Sequence, residues 1–121
     1  MRKKQIHLPI YGRTIELIES TTGMKEIYDK YGLGCDPEGI YPVSTMFWYQ
    51  KTVKGQETTI FHIAMTKGQI TPGIIAHEAL HLCNMIFNYI SAEPTFANDE
   101  PLAYLLTWIV DECHKFYDVK G

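Results

Sequence analysis

The chain has 121 residues, 45% of them hydrophobic and 21% charged, which is the size and balance of one globular domain with a single core. A formal net charge of −3 argues against a nucleic-acid-binding surface, so no nucleic-acid partner is expected. No apolar run is long enough to span a bilayer. The longest, around Leu102 to Val110, is short and sits in an amphipathic context, so no membrane partner is expected either.

Arg2-Lys3-Lys4 reads as a solvated basic terminus. It leads into His7, Pro9 and Gly12 instead of an apolar stretch, so no signal peptide is expected. Gln5 to Ile10 and Arg13 to Ile18 alternate apolar with polar residues on either side of Tyr11-Gly12, the pattern of a half-buried hairpin. Pro9 cannot donate to a ladder and directs the first strand to an edge. Thr21 or Thr22 is the expected cap of a helix over Met24 to Tyr31, which Gly32 and Gly34 end. Cys35 to Pro42 is loop.

Val43 to Val53 and Glu57 to Met65 are rich in aromatic and β-branched residues, with Lys54-Gly55-Gln56 as the turn between them. Phe47, Trp48, Tyr49 and the later Trp108 are expected to pack in the core. Thr71-Pro72 caps and starts the next helix. A last helix begins near Asn98 or Asp99 and runs to about Tyr117, with Leu102, Leu105, Leu106, Ile109, Val110 and Cys113 at helical spacing. The expected architecture is one α+β domain over residues 1–121, a small antiparallel sheet packed on these helices. Cys35, Cys83 and Cys113 are odd in number and lack C-x-x-C spacing, so they read as reduced thiols of a cytoplasmic protein.

The chemistry lies in His77-Glu78-Ala79-Leu80-His81, set in an apolar run from Ile74 to Tyr89. Residues four apart share a helix face, so His77 and His81 direct two imidazoles at one point, as Zn²⁺ requires. Glu78 beside them is placed to accept a proton from water. A catalytic zinc takes a third protein ligand. Glu100, in the first turn of the last helix, is the expected one. Asp99 is the fallback, and Glu93 and His114 are more remote. Tyr104 shares a face with Glu100 and is the preferred donor to a developing oxyanion, with Tyr89, His62 and His114 as the other candidates. Cys83, two residues past His81, reads as a small core residue.

His77-Glu78-Ala79-Leu80-His81 followed by Asn98-Asp99-Glu100-Pro101-Leu102-Ala103-Tyr104 resembles the minimal gluzincins, and the short predicted metallopeptidases of phages and prophages. The resemblance covers Thr58 to Lys115. It implies a zincin-like fold, His77, His81 and Glu100 as zinc ligands, and Glu78 as general base in the hydrolysis of a peptide or protein substrate. In a phage-encoded member the place of action would be the host cytoplasm. The family also places an edge strand over the active-site helix, for which Glu57 to Met65 is the matching segment. Tyr104 stands where larger members carry an aspartate. The alternative is a non-catalytic zincin-like module, stabilised by metal, that binds a protein.

Overall fold

The computed structural model describes residues 1–8, 11–92 and 95–118. Among these the elements run β1 (Arg2–His7), β2 (Thr14–Ser20), α1 (Met24–Tyr31), β3 (Ser44–Val53), β4 (Gln56–Thr66), α2 (Pro72–Tyr89) and α3 (Glu100–Tyr117). They fall into a sheet unit, Met1–Ile70, and a helical unit, Thr71–Gly121.

In the sheet unit, β1 and β2 form the expected antiparallel pair, with Ile6 opposite Ile15. The pairing starts earlier than the alternation suggested. Arg2, Lys3 and Lys4 are strand residues, not a free tail, because their register sets Arg2 against Glu19 and the two side chains pair at 3.2 Å. β1 does lie at an edge. Pro9 and Ile10, expected to end it, fall outside the described residues. The second hairpin turns on Lys54 and Gly55, at φ 52° and 78°. Positive φ at both central residues matches the twist of the flanking strands, and glycine meets that demand without strain.

The expected antiparallel sheet is in fact mixed. Its four strands run β1-β2-β4-β3, and β2 pairs with β4 in parallel, Thr14 opposite Ile60 through Ser20 opposite Thr66. The chain leaves β2 through α1, lays β3 at the far edge, and returns as β4 into the gap. Glu57 to Met65 is therefore an interior strand and not the edge expected of it. Eight consecutive buried residues, Thr59 to Thr66, mark burial on both faces. The run Ile60-Phe61-His62-Ile63-Ala64-Met65 already carries that signature, a continuous apolar stretch in place of alternation. Both ladders of β4 are occupied, so no substrate strand can add to it.

α1 has the expected bounds but a different cap. Gly23 holds the cap position at φ 116° with no side-chain bond. Ser20 Oγ accepts instead from Gly23 N at 2.9 Å, and Thr22 Oγ1 donates to Glu26. At the other end Gly32 is left-handed at φ 65°, as a helix stop requires. Met24 and Ile27 bury one face of α1 against Ile18, Phe47 and Ala64 of the sheet.

In the helical unit, Thr71 Oγ1 accepts from Ile74 N at 3.2 Å and Pro72 begins α2, as expected. Ile75, Ala79, Leu82, Cys83 and Ile86 are buried along it, and Leu105, Ile109, Cys113 and Phe116 along α3. These periods of three and four give each helix one apolar stripe, and the two helices pack on each other. No helix among the described residues is long and apolar enough to cross a membrane.

Candidate metal centre

The second and third turns of α2 carry the centre. His77 and His81, one turn apart, have ring centroids separated by 4.7 Å with planes at 80°. Their ligand nitrogens and a carboxylate oxygen of Glu78 all lie within 4.8 Å of one another. Two donors to one tetrahedral zinc, at bonds of about 2.05 Å, stand about 3.4 Å apart. The three side chains need only rotamer-scale movement to share an ion.

Burial separates their roles. His77 and His81 are exposed, whereas Glu78 is 4% exposed. The helix explains the difference: Glu78 lies three residues after Ile75 and four before Leu82, both fully buried. Its carboxylate leaves the apolar margin of the helix and meets the imidazoles at their flank. Two imidazole nitrogens and a carboxylate oxygen gathered at this range are donors that a divalent cation takes. The donor set therefore fits zinc, and by ligand type also Fe²⁺, Mn²⁺ or Co²⁺.

Glu100 is in the first turn of α3, exposed, and not part of the group that gathers around the two histidines. Asp99 occupies the cap position of α3 without a side-chain cap bond. His114 is half-buried in the last turn of that helix, and Glu93 lies outside the described residues. Tyr104 is 72% exposed and Tyr89 47%. Both hydroxyls belong to solvent-facing side chains.

The expected core packing of Trp48 and Tyr49 fails. They are 51% and 46% exposed on edge strand β3, while the preceding Phe47 is buried. Successive strand residues face opposite sides of the sheet, and the sequence alone does not assign which side is covered or how far along the strand the cover reaches. His62, a candidate oxyanion donor by sequence, is enclosed in the sheet. It is 3% exposed within β4, its ring stacked on Phe47 at 4.6 Å, with Nε2 3.5 Å from Glu16 Oε1. Burial lowers its pKa, against the pull of Glu16. Cys83 is buried as expected, and burial pushes its thiol up to about 12.

The contact between Glu16 and His62 had no linear signal, because the two residues meet only through the parallel register of β2 and β4. No protein-family model, curated protein or solved structure matches the chain. The α+β architecture and the clustered His77, Glu78 and His81 thus define it on their own.

Proposed function

We propose that the protein is a zinc-dependent metallopeptidase whose centre is built on α2. The supporting observation is the convergence of two imidazoles and a buried carboxylate within 4.8 Å on consecutive turns of one helix. His77 and His81 hold the ion, and Glu100 completes the donor set from the start of α3. When bound, zinc supplies the Lewis acidity that makes water a nucleophile near neutral pH. Glu78 would accept a proton from the attacking water and return it to the leaving amine. Tyr104 offers its hydroxyl to the carbonyl oxygen as charge develops there. The free thiols of Cys35, Cys83 and Cys113 fit a reducing compartment, and the reading takes the cytoplasm as the place of action.

The second reading is a metal-stabilised protein-binding module without hydrolysis. It is favoured by the exposure of Glu100 away from the two histidines and by the exposed Leu80 between them. Elemental analysis of wild type, His77→Ala and Glu100→Ala comes first. One zinc per chain, lost in both variants, establishes the three-ligand centre. Zinc kept by Glu100→Ala removes Glu100 from it. A wild type that takes up no zinc overturns both readings. Peptide hydrolysis lost in a zinc-loaded Glu78→Gln variant then selects the peptidase, and a zinc-loaded wild type inert toward a broad peptide library selects the module.

A further inference from the structure

A separate gathering of ionisable groups surrounds Tyr31, the last residue of α1. Lys3 Nζ donates to Tyr31 Oη at 3.1 Å, and Tyr31 Oη donates in turn to Glu16 Oε1 at 3.0 Å. The ammonium groups of Lys3 and Lys30 stand 5.6 and 5.7 Å from the Tyr31 ring centroid. Lys30 Nζ also meets Met1 Sδ at 3.9 Å, a thioether that carries no charge.

The carboxylate that answers Lys3 is Glu16, and it is shared. It accepts from Tyr31, lies 3.5 Å from His62 Nε2, and is 3.5 Å from Gln5 Nε2. The ammonium groups of Lys3 and Lys30 thus meet at one tyrosine ring beside a carboxylate engaged on several sides, in a chain whose formal net charge is −3. The ammonium group of Lys30, followed by burial, lowers the Lys3 pKa, and Glu16 offsets this only in part. Like charges gathered at this range repel, and an anion between them reverses the sign of the interaction.

We propose that Lys3 and Lys30, gathered around Tyr31, bind the phosphate group of a small ligand. Lysine ammonium groups are compact point charges with several donors each, suited to a tetrahedral dianion. Tyr49 stands beside them, 46% exposed, with its ring centroid 5.9 Å from that of Tyr31. It offers a stacking surface to a phosphate monoester that carries an aromatic group. Inorganic phosphate and such an ester share the charged recognition and differ in use of Tyr49.

The test is a titration of the full chain with inorganic phosphate and with a nucleoside 5′-monophosphate, followed by amide and lysine Nζ nuclear magnetic resonance in a constant chloride background. Saturable shifts at Lys3, Lys30 and Tyr31, with a rise in the Lys3 pKa, are expected. Affinity should fall about tenfold or more in Lys30→Gln, the loss of a charge-assisted hydrogen bond. Lys3 and Lys30 are exposed, so Lys3→Gln serves as the second variant if Lys30→Gln melts early. Tighter binding of the monophosphate, abolished by Tyr49→Ser, assigns the ester. Equal binding assigns the free ion. Shifts that do not saturate, that chloride reproduces at equal ionic strength, or that persist unchanged in both lysine variants overturn the proposal.

Discussion

His62 and Glu78 are buried to nearly the same degree, 3% and 4% exposed, yet they meet their neighbours by different routes. His62 finds Glu16 from another strand and Phe47 from a third, so its surroundings exist only when the whole sheet has formed. Glu78 has His77 and His81 on its own helix, so that grouping exists as soon as α2 does, and only its burial awaits the packing of the helix. In the sheet unit a titratable group is a product of the fold. In the helical unit it is a product of five consecutive residues. The two should respond differently to substitution, metal and pH.

The largest expected effect is on activity in the helical unit. Glu78→Gln should lower kcat/KM for a cleaved peptide by about 10²- to 10⁴-fold while zinc content stays at the wild-type value. Undiminished hydrolysis by that variant would remove Glu78 as the base. The sheet unit should show its largest effect in stability. Phe61→Ala, at a fully buried position of the interior strand, should cost about 3–5 kcal/mol in urea unfolding. A loss well under about 1 kcal/mol would mean that β4 is not the centre of the sheet.

Metal should act through the helical unit. Zinc held at about a hundred times its dissociation constant should contribute about 2.7 kcal/mol, which chelation removes. The sign is a lower melting temperature without metal, and the same chelator should leave a His77→Ala/His81→Ala variant unmoved. An equal response in that variant would place the metal elsewhere.

Acid should act through the sheet unit. Because burial lowers the pKa of His62, the unfolded chain takes up this proton more readily than the folded one. The resulting stability is complete above the unfolded value of about 6.5 and is lost as pH falls through the folded value. His62→Leu should therefore flatten the wild-type decline in urea midpoint between about pH 7 and pH 5. Superimposable profiles would assign the decline to other histidines. The smallest effect belongs to the cap of α2, where Thr71→Ala should cost about 1 kcal/mol. That loss probes the helix alone, since Thr71 Oγ1 serves Ile74 N.

The same contrast governs what could be read in advance. Helix bounds, the Thr71 cap and the meeting of His77, Glu78 and His81 follow from periodicities of three and four within one segment, and they were legible. The Lys54-Gly55 turn was legible because its two residues carry their own conformational preference. The place of β4 was not. Its unbroken apolar run was consistent with an interior strand, but hairpin logic favoured simple antiparallel neighbours and hid the parallel pairing with β2. The meeting of Glu16, Tyr31 and Lys3 left no trace in sequence spacing, because the register of β1 on β2 and the packing of α1 on the sheet bring them together. The exposure of Trp48 and Tyr49 was hidden for the related reason that side-chain hydrophobicity does not report which face of a sheet is covered, or how far along a strand.

The parallel seam also sets the order in which the sheet can be made. Thr14 meets Ile60 across 46 positions of chain, whereas each hairpin joins strands separated by a short connection. The hairpins can close within microseconds, but the seam must await a loop closure that spans α1 and β3. During synthesis from the amino end, β2 has one ladder satisfied by β1 and the other open until residue 66 has left the ribosome. Nascent β2 is thus a strand edge that waits for most of the unit to be translated. The lone seam, not the hairpins, is where refolding of this unit should be rate-limited.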